Sequence, residues 1–157
     1  MEYYPSLLTF HIVFAGLWLI YFVAERILKS QITNASNVEL KNQAILLYLK
    51  FSNLFGIVGA IGIAITGVLL VWQNNGFGYF DMTNNHWLAT KQILFVIILI
   101  TTFVTIIPTS QEIKARMSST EDNGVDKQLS KFYKANMVIN IIVLVNFIFA
   151  ITHRFYS

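Results

Sequence analysis

Residues 5–24 read PSLLTFHIVFAGLWLIYFVA, and the fold follows from this stretch. It holds no Lys, Arg, Asp or Glu, and about 20 such residues at about 1.5 Å each cover the hydrocarbon thickness of a bilayer. Three more stretches of the same kind follow at 51–72, 92–111 and 135–152, each free of the four charged residue types. A bilayer offers no water to unsatisfied backbone groups, so a spanning segment is a helix or part of a closed barrel. The length of these unbroken apolar runs predicts helices. The expected fold is all-α: one integral membrane domain, residues 1–157, built as a four-helix bundle with up-down topology. Pro108, near the end of the third run, lacks the N–H that a helix interior uses and predicts a kink or an end there.

Composition agrees. Of 157 residues, 55% are hydrophobic and 12% charged, about half the charged share of a soluble domain. The chain has no cysteine, which excludes disulfides, thiolate metal sites and c-type haem attachment. The net charge of +3 does not point to nucleic acid, because the basic residues lie between the apolar runs, where they act as topology signals. The start, Met1-Glu2, has no basic n-region and its apolar run is too long for a signal peptide, so the first run is expected to be retained.

The connection 25–50 is polar at first, and its 40–48 part reads as a helical extension of the second span. The connection 73–85 is rich in Asn and Gly and carries Phe77, Tyr79 and Phe80, as in an interfacial turn or short helix. The connection 112–134 has both charge signs, with a solvated turn at 118–124. The first and third connections hold Arg26, Lys29, Lys41, Lys50, Lys114, Arg116, Lys127, Lys131 and Lys134; the other side holds only Lys91 and Arg154. The positive-inside rule therefore places the first side in the cytoplasm and both termini outside, toward the periplasm if the membrane is a bacterial inner one. Trp72 and Trp87 bracket the outer loop as an aromatic belt would.

This topology gathers side chains that are distant in sequence. His11, His86 and His153 all fall in the outer leaflet, with Lys91 about one turn inside the third span. His11 is the deepest, on the order of 10 Å below the start of its helix. An ionisable group inside a span is a functional-site candidate. Imidazole ligates metals and haem iron, and bundle cores hold cofactors, so His11 is the candidate ligand, with His153 or His86 as a possible second one. The plainer reading makes His86 and His153 headgroup-level side chains and His11 an interhelical hydrogen-bonding residue. Met82 and His86 form a weaker thioether–imidazole pair that would suit copper. Lys91 either snorkels outward or pairs inward with an anion, and Trp87 precedes it by one turn on the same face.

Span one carries a stripe of His11, Phe14, Ala15, Trp18, Tyr21, Phe22 and Glu25 at helical spacing, expected to face the bundle. Glu25 and Arg26 read as the cytoplasmic end of the span, paired with neighbouring helices or facing solvent. Span two has a ridge of Asn53, Gly56, Ala60, Ala64 and Gly67, with Gly59 and Gly62 beside it, which admits a close helix or a flat porphyrin. Asn136, Asn140 and Asn146 read as interhelical hydrogen-bonding residues. There is no HExxH, no phosphate-binding glycine loop, no paired intramembrane carboxylates and no nucleophile arrangement, so catalytic residues are unknown.

Three segments resemble the four-helix membrane superfamily of HemJ-type protoporphyrinogen oxidases and the CopD-like copper-resistance domain. They are FHIVFAGLWLIYFVAERIL with His11, Trp18 and Arg26; LYLKFSNLFGIVGAIGIAITGVLL with Gly67; and NHWLATKQILFVIIL, where Trp87 and Lys91 form W-x3-K. The resemblance implies a b-type haem on His11 with Lys91 important, or copper handling on the periplasmic side. The chain departs from the HemJ pattern in span four, which has Asn but no Glu where that family has an Asn-Glu pair. This speaks against porphyrinogen oxidation. The leading expectation is a membrane haem b redox protein, in electron transfer or as an oxidase relative. The alternatives are an accessory subunit of a larger membrane complex, partnered by lipid and other subunits, or a copper-handling protein.

Overall fold

Every apolar run forms a helix, and each helix continues past its run. The computed structural model describes residues 3–74, 76–118 and 124–156, apart from the side chains of 153–156. Helix α1 is Tyr4–Thr33, α2 is Val38–Gln73, α3 is His86–Thr101, α4 is Ile107–Ser118 and α5 is Val125–Tyr156. A π-helical turn, Thr102–Ile106, joins α3 to α4, so the third span is one rod over His86–Ser118. Four helical rods are thus long and apolar enough to cross a membrane. The chain is an integral membrane four-helix bundle.

The local chemistry accounts for the element ends. Pro5 lies in the first turn of α1, where its missing N–H is not needed. The Asn37 side chain caps α2 by accepting from Leu40 N at 2.8 Å. The 40–48 stretch is helical, as the sequence led us to expect. Pro108 neither ends nor breaks the third span. A π turn sits immediately before it, closed by Ile107 N–H to the Thr102 carbonyl, and this turn absorbs the bond that Pro108 cannot make.

Packing is tightest between α1 and α2. Trp18 seats its indole on Gly59, where a Cβ would lie 3.1 Å from the ring, and Phe14 fills the notch over Gly62. Lipid is as apolar as leucine, so such van der Waals fit, with interhelical hydrogen bonds, is what holds membrane helices together. Tyr48, Ile45 and Leu49 of α2, Ile98 of α3, Ile113 of α4 and Phe132 of α5 complete the core. Large apolar side chains such as Ile20, Val23, Ile61, Ile65, Ile100 and Phe103 point outward. That pattern suits a lipid surround and would be costly in water.

The two ends of the bundle differ. The basic end holds the α1–α2 turn and the α4–α5 connection, with a Lys41–Asp126 bridge of 2.9 Å and an Arg116–Glu112 bridge of 2.8 Å. The histidine end holds the α2–α3 connection, a built turn. Asp81 accepts from the backbones of Thr83 and Asn84, Phe80 N–H donates to Gln92 Oε1, and Asn85 Nδ2 donates to the Gly76 carbonyl.

Candidate functional site: a buried carboxylate network and a histidine cluster

The largest buried polar group belongs to a residue that the sequence placed at a span boundary. Glu25 is 4% exposed. Helix α1 runs eight residues beyond it to Thr33, about 12 Å at the usual rise, so it lies inside the bundle. Three donors converge on its carboxylate. Lys29 Nζ, one turn on, lies 2.7 Å from Oε1. Tyr48 Oη donates to Oε1 at 2.8 Å, and Asn140 Nδ2 donates to Oε2. All three groups donate, which holds the carboxylate in its acceptor role. Lys29 also lies over the Tyr133 ring, 4.6 Å from its centre.

The network extends inward from Tyr48. Asn136 Nδ2 reaches Tyr48 Oη at 2.9 Å, Tyr21 Oη at 3.1 Å and Ser52 Oγ at 3.3 Å. Asn53 Nδ2 donates to Ser110 Oγ at 3.1 Å, tying α2 to α4. The bonds of Asn136 and Asn140 to α1 and α2 are the interhelical contacts expected of them. Asn146 differs: its Oδ1 has no hydrogen-bond partner. Beside the network lies a cavity of about 20 Å³, lined by polar Tyr21, Ser52, Asn53, Thr102, Asn136 and Asn140.

A second, smaller cluster occupies the histidine end. His11 Nδ1 lies 2.8 Å from Thr66 Oγ1, and that hydroxyl donates to the Gly62 carbonyl at 2.6 Å. The hydroxyl proton is thereby used, so Nδ1 carries the ring proton and donates. Lys91 is close enough for its charge to act on the imidazole, and its ammonium stacks on Trp87 at 5.0 Å. Trp87 in turn packs edge-on against Phe77. Thus His11, Lys91 and Trp87 share one region. His86 is on the first turn of α3 and exposed, and the side chain of His153 lies outside the described residues.

These facts correct the cofactor expectation. Among the described residues, no group of three or more His, Asp or Glu could hold a metal ion, and the chain has no cysteine. Of the span-two glycines, Gly59 is covered by Trp18, Gly62 by Phe14 and Gly67 by His11. Met82 is exposed and belongs to no such donor group. The residues present therefore fit neither haem b nor copper, and the metal-binding and redox roles fall with them. His11 is instead an interhelical hydrogen-bonding residue.

The two clusters do not join. Phe14 and Trp18, packed into Gly62 and Gly59, separate the His11–Thr66 pair from the Glu25 network, so no continuous polar path runs through the α1–α2 seam. Compared with family models, with curated proteins and with solved structures, the chain matches none.

Proposed function

We propose that this chain is a non-enzymatic subunit of a larger membrane assembly. Its polar network fixes the bundle, and the histidine-end part of α5 docks a transmembrane helix of another subunit. The observation that supports this is the exposure of that part of α5. Leu144, Val145, Phe147, Ile148, Phe149 and Ile151 are each between 36 and 48% exposed. Successive residues on a helix point about 100° apart, so this segment is bare on every side but that of Asn146. Asn146 marks the covered side of this segment, its amide oxygen buried and without a hydrogen-bond partner among the described residues.

The polar groups of the spans support the non-enzymatic part. Glu25 is engaged by three donors, and the Thr66 hydroxyl beside His11 gives its proton to the Gly62 carbonyl rather than to the imidazole. The lysine and arginine distribution orients the basic end to the cytoplasm and puts both termini outside, as in a bacterial inner membrane. Kinship with the HemJ-type and CopD-like four-helix proteins belongs to the same proposal; it rests on the motifs of spans one to three and brings no cofactor.

Native mass spectrometry of the chain, extracted from its own membrane in mild detergent, tests this reading. The expected species is a stoichiometric complex heavier than the 17.9 kDa chain, lost in the Ile148→Ala, Phe149→Ala variant while the variant keeps its helical circular dichroism. A chain that flies alone, or only as multiples of its own mass, overturns it.

A further inference from the structure

The cavity beside the Glu25 network has an unusual combination of floor and mouth. Its floor is polar: Tyr21, Ser52, Asn136 and Asn140, with Thr102 from the π turn. Thr90 and Thr101 bond the carbonyl one turn back, whereas the Thr102 hydroxyl has no partner among the described residues. Asn136 and Asn140 use their NH₂ groups on the network, leaving carbonyl oxygens as acceptors. The mouth is apolar, formed by Gly56 and Ile57, with Ile106 buried behind them. A Cβ on Gly56 would meet nothing within 4 Å, and Ile57 is exposed on the outer face of α2. The opening therefore faces lipid.

We propose that this cavity is a socket for the hydroxyl head of a neutral alcohol dissolved in the membrane. Three observations select that chemistry. A volume of about 20 Å³ accommodates roughly one oxygen-sized group, since a single water needs about 10–15 Å³. No Lys or Arg lines the cavity, so a phosphate or carboxylate head would be buried without a counter-charge. Gly56 lies five residues inside the apolar run that begins at Phe51, about 8 Å deep. A charged headgroup does not sink that far, whereas a single hydroxyl does. One O–H can accept from Thr102 and donate to an asparagine carbonyl, while its alkyl body lies against Gly56 and Ile57 in contact with the bilayer. Water offers the same hydroxyl chemistry, and the experiment separates the two.

The probe is a diazirine-bearing hexadecanol, photolysed with the full chain in phosphatidylcholine nanodiscs. Labelled peptides are expected from the Gly56–Ile57 and Thr102–Ile106 regions, competed by hexadecanol but not by its methyl ether, which cannot donate. Gly56→Leu, which fills the mouth without meeting a neighbour, should abolish labelling there. Thr102→Val, which keeps the side-chain shape, should weaken competition about fivefold, the worth of one hydrogen bond. Labelling that the ether competes equally, that maps elsewhere, or that neither substitution changes overturns the proposal. So does a cavity that holds water alone, seen as no alcohol-competable labelling at all.

Discussion

Removing the Lys29 ammonium while leaving the Glu25 carboxylate should destabilise the bundle more than any other single change to its polar groups. In Lys29→Met the carboxylate, 4% exposed, keeps its neutral donors Tyr48 and Asn140 but loses the one cation paired with it among the described residues. Breaking a fully buried pair from one side costs about 3–5 kcal/mol. The Lys29 side chain is 33% exposed, so part of its charge is screened and the expected cost falls to about 2–3 kcal/mol. Glu25→Gln leaves Lys29 facing a neutral amide whose NH₂ opposes a donor, at about 1–3 kcal/mol. In the double variant neither charge is present, so the costs should fall short of their sum by roughly 1–2 kcal/mol. Reversible unfolding in mixed micelles with increasing SDS measures all three against the parent chain. A Lys29→Met variant within about 0.5 kcal/mol of parent, together with simple additivity, would refute the claim that Lys29 sustains the buried carboxylate through which Glu25 holds α1 to α2 and α5.

Two further outcomes are open to measurement. Gly62→Ala puts a methyl group into the Phe14 ring, whereas Gly67→Ala meets His11 at an ordinary 3.5 Å; the first should cost about 1–3 kcal/mol and the second under about 1 kcal/mol, visible as unequal losses of thermal midpoint in detergent. In the α2–α3 connection, hydrogen bonds from the backbone and side chain of Asn84 and the backbone of Thr83 hold the Asp81 carboxyl below its ordinary value of 3.8. Its contribution to the turn is complete above that ordinary value and is lost as pH falls through the lowered folded one. Amide exchange at Thr83 and Asn84 should therefore accelerate, beyond the intrinsic rate change, as pH falls below 3.8, and Asp81→Asn should remove that extra step; equal protection above and below would contradict this.

The spans were legible because the bilayer applies a coarse test: about 20 residues without charge, satisfied helically. The inward stripe of α1 was legible too, and Trp18, Tyr21 and Glu25 are buried on it. For Glu25 the sequence left open pairing with neighbouring helices or facing solvent, and the structure pairs it with α2 and α5. A linear reading does not register that Lys29, one turn on, supplies the counter-charge that lets the carboxylate go in. The signal was present in the Glu25–Lys29 spacing and in Leu28 and Ile32, which continue the stripe. The roles of Asn136 and Asn140 came through because a mid-span amide has few alternatives to a neighbouring helix. The cofactor expectation failed for a different reason. Glycines record that something approaches closely but not what does, and here it is Trp18 and Phe14. Histidine convergence depended on helix rotation, which topology leaves open, and His86 is turned outward.

The π turn before Pro108 has a consequence for the phase of the third span. Ile98, Thr102, Ile106 and Ser110 are all buried at intervals of four, a spacing that would drift by about 40° per step on a regular helix. The wider turn takes up this drift, so one rod keeps a single face inward from Ile98 to Ser110. A helical wheel drawn through residues 86–118 as one helix misassigns its second half. Regularising the turn at unchanged length would swing Ser110 about 100° away from Asn53, whereas deleting one residue within Thr102–Ile106 would remove the extra residue and leave Ser110 in place, so length and turn type are tied together here.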